Sequence, residues 1–94
     1  MSTSTTHAGT NFELEMSLPR EPRFAEVVRR LAVHAALHSG GSDAAADAFG
    51  REVEDVARGA LGDPSAAGHV AVTVRRATTG IDVRIDTRTL TLNI

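Results

Sequence analysis

The sequence predicts an α+β fold: a two-layer sandwich in which two helices pack on one face of a small sheet. Apolar and polar residues alternate early in the chain and again, twice, in its last third, which is the period of strands with one buried face. Between those segments, two stretches repeat apolar residues every three or four positions, the period of amphipathic helices. Ninety-four residues suffice for one domain and not for two. The order β-α-α-β-β closes that domain into two layers around a single core.

Each element is justified by its own residues. Residues 1–10, MSTSTTHAGT, are small, polar and unpatterned, and are expected to form a disordered tail in which His7 carries no chemistry. Over residues 12–18, Phe12, Leu14, Met16 and Leu18 fall on one side of a strand, with Glu13, Glu15 and Ser17 on the other. Pro19 and Pro22 end it, because proline cannot donate to a sheet ladder. Residues 23–38 form a helix whose stripe is Phe24, Val27 or Val28, Leu31, Ala35 and His38, with Glu26 and Arg30 paired four apart. Ser39, Gly40 and Gly41 stop it, and Ser42 and Asp43 offer cap chemistry to the next helix.

That second helix runs from about residue 43 to 61, with Ala45, Phe49, Val53, Val56 and Ala60 as its apolar stripe. Gly62, Asp63 and Pro64 end it. Gly50 and Gly59 each weaken it by up to about 1 kcal/mol relative to alanine. After a short linker at 65–68, residues 69–74 alternate through Val70, Val72 and Val74. A turn at 77–80 leads into 81–85, which alternates through Ile81, Val83 and Ile85. Beyond Asp86 the apolar positions become Leu90, Leu92 and Ile94. Side chains change face at every residue, so this change of parity requires a bulge, a bend or a new, short fourth strand near 87–89.

Composition narrows the function. A chain this short buries only about 60–65% of its unfolded surface, so its core is thin. It holds no cysteine, which excludes a disulfide framework and a thiolate zinc site and fits a reducing cytoplasm. No apolar run approaches the roughly 20 residues that span a bilayer, and residues 1–10 lack the apolar core of a signal peptide. The expectation is a cytoplasmic protein with no membrane partner. Net charge is −2 and there is no Trp or Tyr, which argues against nucleic acid. All ten basic residues are arginine; a GC-rich coding sequence explains this, and arginine's fork of donors at interfaces is the alternative.

His34 and His38 stand four apart on the first helix, at metal-ligand spacing, but no HExxH glutamate accompanies them, and they read as exposed or half-buried helix histidines. Glu13 and Glu15 share one side of a strand and read as solvated. There is no GxSxG, no P-loop and no glycine-rich dinucleotide turn. Asp55 and Asp86 by themselves read as ordinary helix-face and turn carboxylates.

Taken together, SLP at 17–19, the first helix with Arg29 and Arg30 early in it, SDAAADAF, REVEDVARGAL at 51–61 and the final hairpin resemble a known domain. It is the histidine kinase-like ATPase domain shared by gyrase, histidine kinases and MutL, and most of all its anti-sigma factor branch of serine kinases. The resemblance covers about residues 12–90, the first half or so of a full family domain, so that 11–94 reads as a single truncated domain. Against the family pattern V-x-E-A-x-x-N-A-I, Val53, Ala60 and Leu61 match the framework.

The functional positions depart from the pattern. The family's general-base glutamate falls at Asp55, and its magnesium-holding asparagine at Gly59, which has no side-chain oxygen to offer a hard cation. In the family's D-x-G-x-G motif the aspartate that binds adenine falls at Asp86, while the two glycines fall at Arg88 and Leu90, which would obstruct the backbone's close approach to the base. The resemblance therefore implies a nucleotide site surviving only as vestigial positions Asp55, Gly59, Asp86 and Arg88, with no catalytic residue, no cofactor and no metal. The expected function is a non-enzymatic, regulatory protein-interaction module. Its implied partner is a sigma factor, an anti-sigma antagonist or a second copy in a homodimer, docked through Leu90, Leu92 and Ile94 on an uncovered sheet edge. The alternative is a minimal ATP-dependent kinase acting on a protein serine, with Asp55 as base and Asp86 on adenine.

Overall fold

The computed structural model describes residues 2–8, 11–63 and 68–94. Most of the predicted linker lies outside the described residues. The architecture is an α+β two-layer sandwich. Strands β1 (Ser2–Ala8) and β2 (Asn11–Pro19) lead through a single 3₁₀ turn (Pro22–Phe24) into helices α1 (Ala25–His38) and α2 (Asp43–Leu61). Strands β3 (His69–Ala77), β4 (Gly80–Ile85) and β5 (Arg88–Asn93) follow. The strands lie in the order β1-β2-β3-β4-β5, and every neighbouring pair is antiparallel. The α1–α2 hairpin connects two adjacent strands and covers one face only, with α1 against β3 and β4, and α2 against β4 and β5.

The alternation read in the sequence is the helix-facing side of this sheet. Leu14, Val74, Val83 and Leu90 stand in register across four strands, and Met16, Val72 and Ile85 form the next row. Leu18, Val70, Val72, Val74, Ile81, Val83 and Ile85 are almost completely buried. From the helix layer, Val28, Phe49, Val53 and Leu61 close over them. The opposite face carries Glu13, Arg75, Asp82 and Thr91 in one row and Glu15, Thr73, Arg84 and Thr89 in the next. No described element covers that face, which is why its residues are polar.

Three expectations are corrected. The polar segment assigned to a disordered tail is, over Ser2–Ala8, a strand paired along its length with β2, from Ser2 opposite Ser17 to Ala8 opposite Asn11. Met1, Gly9 and Thr10 lie outside the described residues. Pairing on an edge is made by backbone groups, which an apolar pattern does not report. The buried stripes keep Val28, Ala35, Phe49 and Val53 of those read and are otherwise rotated. In α1 they are Ala25, Val28, Ala32, Ala35 and Ala36, with His38 exposed. In α2 they are Ala46, Phe49, Gly50, Val53, Ala57 and Leu61. Small residues go inside because the helices lie close: a Cβ built on Gly50 would sit 2.5 Å from Val33 Cγ2. Lastly, the turn Pro22–Phe24 is 3₁₀, so α1 proper starts later than residue 23.

The helix boundaries follow their chemistry. Gly41 N–H donates to Ala36 C=O at 2.9 Å and Gly40 N–H to Leu37 C=O at 3.1 Å, a Schellman closure that requires the positive φ of 98° at Gly40. The Ser42 hydroxyl accepts from Ala45 N–H at 3.1 Å and caps α2. Arg76 reaches from β3 to the Ser39 carbonyl at 3.0 Å, tying the end of α1 to the sheet. Glu54 faces both Arg29 of α1 at 3.5 Å and Arg58 of its own helix at 3.7 Å.

The change of parity after Asp86 is a new strand. Residues 86 and 87 form a two-residue corner, so Ile85 stands opposite Arg88, Val83 opposite Leu90 and Ile81 opposite Leu92. Odd residues of β4 thus meet even residues of β5, and both sets face the helices.

Candidate functional site

Asp55 and Gly59 are four apart on α2 and share a face, one turn above the other. That face looks over the corner between β4 and β5, because α2 rests on both strands. The corner is held by the backbone: Asp86 N–H donates to Ala71 C=O at 3.0 Å, and Arg84 Nε to Asp86 C=O at 3.3 Å. Asp86 itself has φ 57°, a left-handed conformation that aspartate tolerates better than most residues and that a tight hairpin needs.

Between α2 and this corner lies an open depression of about 230 Å³. Asp55, Gly59, Asp86 and Arg88 all line it, with Val56, Ala60, Ile85 and Thr87 between them. The four positions singled out from the sequence, far apart along the chain, therefore border one hollow. The pattern at 51–61 gave no signal for Thr87 or Ile85; Val56 and Ala60 could have been found as the i+1 neighbours of Asp55 and Gly59. Two carboxylates and one guanidinium leave the rim with a formal charge of −1 when all are ionised. A Cβ built on Gly59 meets no atom within 4 Å, so the hollow has room for a side chain there and holds none. Above it, Arg20 Nη1 donates to Ala60 C=O at 2.8 Å, anchoring the last turn of α2.

The other candidates are placed elsewhere. Leu90 does not obstruct the hollow: it faces inward with Leu92, and both pack half-buried against the core. Of the three apolar residues assigned to an uncovered edge, only Ile94 is an exposed large hydrophobic, and it lies alongside the Gly40–Gly41 end of α1. The apolar face of β5 is thus largely spent on its own core, and on the strand's outer side no described strand pairs with its backbone. Arg30 pairs with Glu26 at 2.8 Å, and Arg29 is engaged by Glu54 as described. His34 and His38 are both exposed; His38 stands edge-on to Phe12 at 6.4 Å. Among the described residues, no three His, Cys, Asp or Glu side chains converge closely enough to hold a metal ion.

A second hollow, about 270 Å³, lies on the bare face of the sheet among Glu13, Glu15, Arg75, Asp82 and Arg84. Here Arg75 Nη2 donates to Asp82 at 3.0 Å and the Thr91 hydroxyl donates to the other carboxylate oxygen at 2.8 Å. These two bonds, Arg75 foremost, hold the Asp82 carboxyl below the ordinary carboxylate value.

Comparison with family models, with curated proteins and with solved structures finds no match to this chain. Among the described residues, no helix is long and apolar enough to cross a membrane.

Proposed function

We propose that this chain is a non-enzymatic protein-interaction module of cytoplasmic regulation, descended from the ATPase domain of the anti-sigma serine kinases and no longer equipped for nucleotide chemistry. The observation that carries the reading is Gly59. It borders the same hollow as Asp55, Asp86 and Arg88, at the position where the family needs a carboxamide oxygen on magnesium, and it presents only a hydrogen atom. Arg88, in place of a glycine, puts a long cationic side chain on the rim where a base would lie. The partner class by resemblance is a sigma factor or an anti-sigma antagonist.

One observation favours a second reading. Asp55 and Asp86, the residues a minimal serine kinase would use as base and adenine ligand, share that hollow. Calorimetric titration with magnesium and ATP separates the two. The module reading expects no heat beyond dilution and no rise in melting temperature. Micromolar binding, worth about −8 kcal/mol, would overturn it in favour of the kinase.

A further inference from the structure

The outer side of β5 has a definite hydrogen-bonding phase. Asp86 N–H points to β3, at Ala71, and Ile94 N–H points to β4's side of the sheet, at Thr79 C=O, 2.8 Å away. Antiparallel ladders alternate strictly, so Arg88, Leu90, Leu92 and Ile94 direct their backbone groups inward. Thr89, Thr91 and Asn93 direct theirs outward, past the last strand of the sheet. From Thr89 onward β5 has none of the devices that blunt an edge: no charge, no proline and no bulge.

We infer that this edge pairs with the same edge of a second copy, in antiparallel register centred on Thr91. Only this register engages all three outward residues at once, Thr91 with itself and Thr89 with Asn93 twice. Each such pair exchanges both of its N–H···O bonds. Centring on Leu90 leaves Asn93 facing the corner and uses two pairs rather than three. The side chains agree with the Thr91 centre. On the helix-facing side Leu90 of one copy meets Leu92 of the other, twice, which completes the burial of two half-exposed leucines. On the bare face Thr91 meets Thr91, and no like charges are opposed: Asp82, behind Thr91, is paired with Arg75 within each copy, and Arg84 lies behind Thr89, whose partner across the seam is the uncharged Asn93. Arg88 falls opposite Ile94. The product is a ten-stranded continuous sheet with both helix layers on one side. The inference rests on the interaction-module reading and names its partner as a second copy of this chain.

The chain lacks cysteine, which makes the register directly measurable. Partners in a hydrogen-bonded pair stand about 5.5 Å apart at Cα, within the span of a disulfide. Thr91→Cys is therefore expected to crosslink to itself under mild oxidation of the full chain. Thr89→Cys on the same face would place its two thiols' backbones roughly 14 Å apart, out of reach. Sedimentation of the parent chain from about 1 μM to about 1 mM is expected to show a monomer becoming a dimer. Thr91→Pro, which removes an outward N–H along with the hydroxyl bond to Asp82, should raise the dissociation constant at least tenfold, whereas Thr91→Val, which removes the hydroxyl and keeps the N–H, should leave it within a few-fold. A monomer at every concentration, equal crosslinking of both cysteine variants, or a dimer indifferent to Thr91→Pro would overturn the seam. Should Thr91→Pro fail to fold by circular dichroism, the two cysteine variants decide alone. None of these results touches the nucleotide calorimetry, so loss of the seam and loss of the module reading are told apart.

Discussion

Gly50 and Gly59 sit about two and a half turns apart on one helix and look alike in the sequence, where each is a weak helix former. Their surroundings give alanine opposite effects. At Gly50 the new Cβ would meet Val33 Cγ2 at 2.5 Å and Arg29 Cγ at 3.2 Å, so Gly50→Ala should lose about 1–2 kcal/mol to overpacking despite better propensity. At Gly59 nothing lies within 4 Å, and Gly59→Ala should gain up to about 1 kcal/mol. Denaturant midpoints of the two variants check both signs. Asp82 supplies a pH dependence. Its folded pKa lies below the ordinary 3.8, so its stabilising contribution is complete above that value and is lost as pH falls through the folded pKa. Asp82→Asn should flatten this acid limb of the stability curve, and Arg75→Gln should raise the Asp82 pKa toward its ordinary value in an NMR titration.

The elements differ in how plainly the sequence announces them. Strand β2 and the core of β3 and β4 were legible because Phe12 to Leu18, Val70 to Val74 and Ile81 to Ile85 each alternate without interruption. Helix α2 was legible at both ends, since Ser42 caps it and Gly62 follows it. Ser42→Ala should cost about 1 kcal/mol of stability in chemical denaturation, the usual loss when a capping hydroxyl is removed. Strand β1 was not legible: STSTTHA has no apolar alternation, and its pairing is carried by main-chain groups that every sequence possesses. The helix stripes were legible in part: Val28, Ala35, Phe49 and Val53 are buried as their spacing predicts, whereas the close approach of α1 and α2 gives much of the remaining inner face to small residues, Ala32, Ala36, Ala46 and Gly50 among them.

Across the whole molecule, half of the candidate site could be read locally and half could not. The resemblance singles out all four positions; helical spacing then puts Asp55 and Gly59 on one face, and adjacency puts Asp86 beside Arg88 at a corner. That the two pairs meet depends on α2 resting over β4 and β5, a tertiary arrangement no local pattern encodes. The open edge has a signature of its own in amide exchange. The N–H groups of Thr89, Thr91 and Asn93 should exchange fast in dilute solution and slow at high concentration, while those of Leu90 and Leu92 stay protected in both. The corner at 86 and 87 also carries a consequence for engineering. Lengthening it by a single residue would turn Leu90 and Leu92 out into water and Thr89 and Thr91 into the core, whereas lengthening it by two keeps every side chain on its proper side. Odd-numbered insertions here should precipitate and even-numbered ones should fold.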